Sequence, residues 1–408
     1  MNIIFIHRNF PAQFKFLADI LSNNPENNVL FVTNNVATPT FGKIRKLSYK
    51  LKRKVPDDCH RYLRFYEESI IHGQAAAELL ASIKMSGFEP DVIVGHSWGN
   101  SLFVKEIFPE VPYIAYIEWY YNYHNSDVDF KDKDISIDEK ASLMCKNAHI
   151  LQDLVNCDYA ISPTNWQKSQ IPKIFHDKIK ILHEGINTDI CVPDENVQFK
   201  VPQKDIILTS KDEVLTYATR GMEEYRGFPE FMKAASILMK QRPNMHVLIG
   251  GEDRVCYGRQ LRNDTFKQKM LRELEFDMDR LHFTGPLPYS EYLKLLQVST
   301  AHIYLTYPFV LSWSFIEAMS CGCRIIASDT APVQEVLEDG KEGLMVDFYD
   351  IDKMVSLAND IMDHREKYDN LRKNAREKAI KNYNLKTLLP QQLEFLTNVA
   401  KNKLVLSK

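Results

Sequence analysis

The sequence of 408 residues lacks the global features of membrane-spanning, secreted or nucleic-acid-binding proteins. Its longest apolar stretches, such as NIIFI and DVIVG, have the length of single strands and fall short of the ~20 residues that cross a membrane. The N-terminus has no basic segment followed by a long apolar core, so we expect no secretory signal. A formal net charge of −3 gives no reason to expect nucleic acid as a partner. These absences predict a cytoplasmic protein.

Metal-binding patterns are missing as well. The seven cysteines include no Cys-x-x-Cys pair, and Cys321 and Cys323 are too close in sequence for the usual zinc or redox spacing. The twelve histidines show no His-Glu-x-x-His spacing. We therefore expect reduced thiols, no metal ion and no cofactor.

Short runs of branched residues alternate with helical patterns along the whole chain, which predicts α/β layers with largely parallel sheets. NIIFIH, NVLFVT and DVIVGH are such runs in the first half, and VLTYATR, HVLIGG and RIIASD are such runs in the second. The polar, proline-containing stretch 193–206 is typical of a linker. We predict one α/β domain over residues 1–192, a second over 207–384, and a helical tail over 385–408.

Gly95-His96-Ser97-Trp98-Gly99 lies between a predicted strand and a predicted helix, as the nucleophile elbow of an α/β-hydrolase does. A hydrolase would place an acid and a histidine downstream of the serine in the same domain, but a linker and a second α/β domain intervene. The segment FIHRNFP also lacks the glycines of an oxyanion loop. A serine hydrolase that uses Ser97 remains an alternative.

Two arginines mark the second half. Arg220 ends the predicted strand VLTYATR, and Arg226 stands just before the next helix. Two guanidinium groups at the carboxyl end of a strand suit a diphosphate, because each is a planar donor that stays charged. The alternative for Arg226 is a solvated position at the start of a helix.

Glu317 allows two interpretations. Ser314-Phe-Ile-Glu317 matches the capping box, in which the glutamate accepts a hydrogen bond from a backbone N–H at the start of a helix. A carboxylate at the carboxyl edge of a parallel sheet can instead accept hydrogen bonds from the ribose hydroxyls of a nucleotide. The adjoining helix N-terminus would attract phosphates. Spacing alone does not choose between the two.

From Tyr217 to about Tyr383 the sequence resembles the donor-binding half of the family 4 retaining glycosyltransferases. The long block EAMSCGCRIIASD…QEVLEDGKEGLMV carries the resemblance, together with ATRGMEEYRGFPEFMKAA and HVLIGGED; ISPTNWQ and ILHEGIN in the first half match more weakly. The resemblance implies the α/β fold called GT-B, in which two Rossmann-like domains face each other across a cleft and the C-terminal helix crosses back to the first domain.

The resemblance also implies roles for single residues. Arg220 and Arg226 would stabilise the diphosphate leaving group, and His96 would contact the transferred sugar or its phosphate. Contacts with the nucleotide sugar would come from Glu317, which would hold the ribose, and from Gly251, Leu311, Ser312, Trp313 and Ser314. Such enzymes typically need no metal, because protein cations and helix dipoles neutralise the departing diphosphate.

Three features depart from the family pattern. The family has a glutamate eight positions before the ribose-binding one, but that position is Phe309 here. The basic residue before Gly227 is commonly lysine and is Arg226 here. The Gly-Gly of the first strand–helix loop is replaced by RNFPAQF. These departures leave open a non-catalytic GT-B partner subunit that binds nucleotide, and a sugar-nucleotide epimerase is another alternative of the same architecture.

The run KIRKLSYKLKRK, Lys43 to Lys54, holds seven basic residues and no acidic ones. Other residues in and around it recur at helical spacing: Phe41, Ile44, Ser48, Leu51 and Val55. An amphipathic basic helix of this kind can lie on an anionic membrane surface. The alternative is a solvated basic segment, because charge runs usually face water.

YIEWYYNYHNSDVDF follows a predicted strand of the first domain and holds several aromatic residues. Aromatic rings stack on the apolar faces of sugars, so we assign Glu118 and Tyr120 to the acceptor side. The combined hypothesis is a glycosyltransferase that moves a sugar from a UDP- or GDP-linked donor to a glycan or lipid-linked acceptor. We expect retention of configuration and a role in cell-surface polysaccharide or glycoconjugate synthesis.

Overall fold

The structure of the protein is a computed structural model that describes residues 1–131 and 134–401. The strands of the described chain are β1 Asn2–Ile6, β2 Asn28–Thr33, β3 Arg45–Ser48, β4 Val92–His96, β5 Tyr113–Tyr116, β6 Tyr159–Ser162, β7 Ile179–Ile181, β8 Gln198–Lys200, β9 Ile207–Thr209, β10 Val214–Gly221, β11 His246–Glu252, β12 Leu281–Gly285, β13 Ala301–Tyr304, β14 Ile325–Ser328 and β15 Leu344–Val346.

The α-helices of the same residues are α1 Lys15–Asn23, α2 Arg64–Met85, α3 Val104–Ile107, α4 Ile137–Lys146, α5 Ala148–Asn156, α6 Asn165–Gln170, α7 Phe228–Gln241, α8 Phe266–Glu273, α9 Tyr289–Gln297, α10 Trp313–Ser320, α11 Ala331–Gln334, α12 Ile351–Asp363, α13 Asp369–Tyr383 and α14 Leu385–Ala400. Short 3₁₀ helices cover Ala12–Phe14, Lys173–Lys178, Glu224–Arg226 and Arg365–Tyr368. Strands and helices alternate as predicted.

The chain forms two compact units. Unit 1 contains Met1–Gly185 and the C-terminal segment that begins at Lys386, and unit 2 contains Ile186–Leu385. Residues 193–206, the predicted linker, lie within unit 2, where β8 pairs antiparallel with β9. Ile186 forms a bridge with Asn384, so the chain enters and leaves unit 2 at adjacent positions.

The sheet of unit 1 is entirely parallel and has the order β3-β2-β1-β4-β5-β6-β7. Successive residues of β1 enter different cores: Ile3 and Phe5 pack on one face, and Ile4 and Ile6 pack on the other. Both faces of the sheet are therefore covered. This explains why its inner strands read as continuous apolar runs rather than as alternating patterns.

The C-terminal helix α14 completes one face of unit 1. Leu396 and Val399 are buried in the core that contains Ile3 and Phe5. The ring of Phe395 meets the ring of Tyr159 edge to face, with centroids 6.1 Å apart. The predicted return of the last helix to the first domain is thus confirmed.

The main sheet of unit 2 is also parallel and has the order β12-β11-β10-β13-β14-β15. In both units the strand order reverses direction beside the first strand: between β1 and β4 in unit 1, and between β10 and β13 in unit 2. Loops leave in opposite directions at such a point and open a crevice at the carboxyl ends of the strands, where α/β proteins bind ligands.

The helix predicted over the basic run is wrong. Arg45 to Ser48 instead form the edge strand β3, which pairs in parallel register with β2. The backbone hydrogen bonds between β3 and β2 outweigh the helical spacing of the residues in the sequence. These bonds join residues 45–48 to residues 30–33, so spacing within the run does not reveal them. Lys52 and Arg53 form ion pairs with Glu78 and Glu67 of α2. Among the described helices, none is long and apolar enough to cross a membrane.

Candidate active site

The crevice of unit 2 contains an open pocket at the carboxyl ends of β10 and β13. Arg220, Arg226, Tyr257, Ser312 and Ser314 are among the residues that line it. Four of these five were predicted from the sequence. The structure therefore brings both guanidinium groups and the start of α10 to one place.

Arg226 is buried, with only 6% of its surface exposed, so the alternative of a solvated helix start is wrong. One terminal nitrogen donates to Thr306 Oγ1 at 2.7 Å, and the other donates to the Val310 carbonyl at 3.0 Å. Burial acts to lower its pKa, but the neighbouring phenols and the Glu223 carboxylate stabilise the cation, and the pKa of Arg226 is raised overall. The group is a fixed positive charge.

Arg220 differs from Arg226 because its side chain is exposed at the end of β10. It lines the same pocket but is not locked in place by burial. The backbone beneath it depends on Gly251, the last residue but one of β11. Its φ is +128°, and a Cβ there would lie 1.9 Å from the Thr219 carbonyl oxygen. Gly251 therefore allows β11 to approach β10 closely.

Ser312 is the N-cap of α10, and its hydroxyl oxygen accepts a hydrogen bond from the backbone N–H of Ser314. Its own N–H donates to the Tyr304 hydroxyl at 3.0 Å. Of the neighbouring predicted contacts, Leu311 is buried in the core, whereas Trp313 is 41% exposed. Ser312 and Ser314 are the two residues of this segment that reach the pocket.

The capping-box interpretation of Glu317 is wrong, because the helix starts one residue before Ser314 and Ser312 caps it. The carboxylate accepts hydrogen bonds from the hydroxyls of Tyr289 at 2.7 Å and Tyr292 at 2.9 Å. Burial raises the pKa of Glu317, and the two tyrosine bonds oppose that rise. Glu317 is not among the residues that line the arginine pocket. Its contact with ribose stays a prediction.

Phe309 belongs to an aromatic group beside the pocket. Its ring lies 5.6 Å from that of Tyr225 and 5.0 Å from that of Tyr257, between centroids. The Arg226 guanidinium carbon is 5.9 Å from the same ring. Tyr257 was not predicted from the sequence as a site residue. Its place in the loop after HVLIGGE, at the same edge of the sheet as Arg220, could have indicated it.

The corresponding edge of unit 1 carries histidines. His7 follows β1 and His96 ends β4; both are fully buried, with ring centroids 4.5 Å apart. The half-buried ring of Trp98 lies 4.5 Å from that of His96. Burial lowers the pKa of His7 to about 3 and holds that of His96 well below its usual value. Both imidazoles are neutral at physiological pH.

Several buried polar atoms at this edge have no hydrogen-bond partner within residues 1–131 and 134–401. They are Nε2 of His7, both ring nitrogens of His96 and the hydroxyl of Tyr116. Glu118 lies next to them: one carboxylate oxygen accepts from Gln13 at 2.8 Å, and the other is 3.7 Å from His96 Nε2. Buried polar atoms left unpaired cost free energy, and Glu118, whose side chain is 19% exposed, is the group beside them that a ligand can reach.

Two other predicted features have structural explanations. Ser97 is 1% exposed, and turns separate it from the four-residue helix α3. A nucleophile elbow would expose the serine at the start of a helix, so the hydrolase alternative is contradicted.

Tyr120 is half-buried and packs against the core of unit 1. Over the described residues there is no group of three or more side chains arranged to hold a metal ion.

Solved structures that match over almost the whole chain show that the fold is GT-B. Sucrose-phosphate synthase from Thermosynechococcus elongatus matches with a TM-score of 0.72 and 16% identity over 98% of this chain and 100% of that one. HepE from Anabaena, crystallised with UDP-glucose, matches at 0.69 and 14% over 98% and 100%. A glycosyltransferase from Rickettsia africae ESF-5 matches at 0.65 and 14% over 98% and 99%.

Family models name the class more closely. Residues 25–191 match the glycosyl transferase family 4 group, and residues 202–378 match the glycosyl transferases group 1. The chain therefore belongs to the group 1 glycosyltransferases, and it is a glycosyltransferase. No curated protein matches the sequence significantly.

Proposed function

We propose that the protein transfers a sugar, with retention of configuration and without a metal ion, from a UDP- or GDP-linked donor to a glycan or lipid-linked acceptor. The reaction would serve cell-surface polysaccharide or glycoconjugate synthesis. The observation that carries the proposal is the pocket of unit 2, where Arg220 and Arg226 meet the N-terminus of α10. The similarity of fold to HepE, which was crystallised with UDP-glucose, favours a uridine nucleotide.

The chemical task of this pocket would be to stabilise the diphosphate as its bond to the sugar breaks. Negative charge then develops on the leaving phosphate, and cations that are already in place stabilise it without reorganisation. Arg226 meets that requirement, because Thr306 and the Val310 carbonyl hold its guanidinium. Arg220 can adjust to the ligand, since it is exposed. The positive end of the α10 dipole adds to both.

The acceptor would bind at the edge of unit 1 that carries Glu118, and His96 at the same edge would contact the transferred sugar or its phosphate. Neutral imidazole nitrogens and a carboxylate are acceptors or donors for sugar hydroxyls, and the ring of Trp98 offers a face on which a sugar can stack. The partial exposure of Glu118 and Trp98 supports this assignment. His96 would act as a neutral hydrogen-bonding group, because burial opposes its protonation.

Phe309 favours one alternative, a partner subunit that binds the nucleotide without transfer, because its phenyl ring cannot accept a hydrogen bond from the donor sugar. Thermal shifts with UDP, GDP and ADP, and then with the corresponding glucose donors, test binding first. A ligand at 100 times its dissociation constant stabilises by ~2.7 kcal/mol. Release of nucleoside diphosphate in the presence of a membrane-glycan extract tests transfer. Binding without any turnover would favour the partner subunit.

We also propose contact with the inner face of an anionic membrane through the basic run. Lys50, Leu51, Lys52, Arg53 and Lys54 are all exposed. Neutralising the four basic residues among them should reduce binding to phosphatidylserine vesicles, since each charge contributes ~1 kcal/mol near the surface. Neutralising four exposed lysines of unit 2 is the matched control: Lys211, Lys240, Lys341 and Lys353. Equal loss in both variants, or no vesicle binding by wild type at low salt, would contradict this contact.

A further inference from the structure

Glu223, which follows β10, is fully buried and holds a loop of unit 2. Its carboxylate accepts hydrogen bonds from three successive backbone N–H groups: Cys256 at 3.1 Å, Tyr257 at 2.9 Å and Gly258 at 2.8 Å. Hydrogen bonds to an ionised acceptor are about twice as strong as those between neutral groups. Three of them fix the backbone of residues 256–258.

The same loop is packed tightly against the segment that carries the two arginines. A Cβ on Gly221 would lie 2.7 Å from the Arg254 carbonyl oxygen and 2.8 Å from Cys256 Sγ. The backbone N–H of Met222 donates to the Glu252 carbonyl at 3.0 Å. The segments 220–226 and 252–258 are therefore in close contact through Gly221, Met222 and Glu223.

This packing places Tyr257 at the mouth of the arginine pocket. Its side chain lines the pocket together with Arg220 and Arg226, yet the residue is 41% exposed. The centroid of its ring lies 5.2 Å from the Arg226 guanidinium carbon and 5.0 Å from the centroid of the Phe309 ring. A tyrosine in this position presents a neutral donor to any anion that the two arginines hold.

We propose that the hydroxyl of Tyr257 donates a hydrogen bond to the diphosphate of the nucleotide donor, and that Glu223 is a positioning residue that holds Tyr257 there. The ligand class is a nucleoside diphosphate or its sugar ester. This inference rests on the proposed function, because it assumes that the pocket binds such a donor. It adds two residues that neither the family pattern nor the sequence analysis assigned.

The test is calorimetric titration of wild type, Y257F, Y257A and E223Q with whichever of UDP, GDP or ADP binds the wild type most tightly. Y257F should bind about tenfold more weakly, the usual scale for one lost hydrogen bond to a charged group. E223Q should weaken binding as well, and E223Q combined with Y257A should be no weaker than Y257A alone. That lack of additivity marks a residue that acts through Tyr257.

E342Q is the matched control, because Glu342 is also a buried carboxylate of unit 2 that accepts from a backbone N–H, that of Glu338 at 2.8 Å. It should lower the melting temperature without changing nucleotide affinity. Wild-type affinity in both Y257F and Y257A would overturn the inference and leave the proposed function intact. If the wild type binds none of the three nucleotides, the proposed function fails. Independent, multiplicative losses from E223Q and Y257A would overturn the positioning role of Glu223.

Discussion

Asp153 of α5 is a buried carboxyl group near His96, and its titration should change the stability of the protein with pH. The carboxyl group is fully buried and accepts hydrogen bonds from the Tyr113 hydroxyl at 2.9 Å and the Ser101 hydroxyl at 3.0 Å. The Ser101 hydroxyl also lies 3.2 Å from the His96 carbonyl oxygen. Asp153 is therefore linked through Ser101 to the end of β4, where His96 lies.

Burial raises the pKa of Asp153 from 3.8 to about 7, even though the hydrogen bonds from Tyr113 and Ser101 act to lower it. Between pH 4 and 7 the folded protein then holds a proton that the unfolded chain has released. The contribution of this group to stability is therefore greatest below pH 4 and is lost as the pH rises to 7. A difference of about 3 pH units at 1.36 kcal/mol each gives a loss of ~4 kcal/mol.

The D153N substitution removes the titration but keeps the shape of the side chain. The free energy of unfolding of D153N, measured with urea between pH 4.5 and 8.5, should rise relative to that of wild type as the pH rises. The expected gain is ~3 kcal/mol, since about 2.5 pH units separate the start of this range from the pKa of Asp153. D158N is the control. Asp158 is an exposed carboxylate that forms an ion pair with Lys105 at 2.7 Å and accepts a hydrogen bond from the backbone N–H of Tyr113. Parallel curves for D153N and wild type would refute the reasoning.

Four substitutions test the candidate site. Arg220→Ala should lower kcat/KM for transfer by ~10²-fold or more, the usual scale for removing one donor to the charge that develops in the transition state. The melting temperature should change little because the side chain is exposed; unchanged kcat/KM would contradict the proposed role. If the Glu317 carboxylate holds ribose, Glu317→Gln should weaken nucleoside diphosphate binding by ~1–3 kcal/mol in a calorimetric titration. Wild-type affinity together with a lower melting temperature would instead indicate a structural role through Tyr289 and Tyr292. Ser97→Ala should leave transfer intact, whereas His96→Ala should reduce it. If the wild type had esterase activity and Ser97→Ala abolished it, both expectations would be contradicted.

The layers and the class of this protein could be predicted from its sequence. The continuous apolar runs within β1, β2 and β4 predict buried parallel strands, because only strands covered on both faces need apolar residues at successive positions. The motif around Glu317 and the pattern from Arg220 to Gly227 indicate the glycosyltransferase family. These signals are local: each depends on residues within one strand, one helix or the turn that joins them.

Local patterns failed where distant segments compete for the same residues. The helical spacing around Lys43 to Lys54 is genuine, yet residues 45–48 pair with β2, and no local pattern encodes that ladder. The match of Ser314 and Glu317 to a capping box is likewise genuine. The helix nevertheless starts at Trp313, and Tyr289 and Tyr292 from another helix hold the carboxylate.

Which chemical groups come into contact depends on the folding of distant segments onto one another. His7 and His96 are far apart in the chain, and they touch because β1 and β4 are adjacent parallel strands that end at the same edge. Glu223 contacts the loop of Tyr257 for the same reason, since β10 and β11 are neighbours. Burial then sets the charge of each group: it keeps His96 neutral, while fixed hydrogen bonds keep Arg226 in place as a cation. Such effects depend on the surroundings of a side chain in the folded protein, which its neighbours in sequence do not specify.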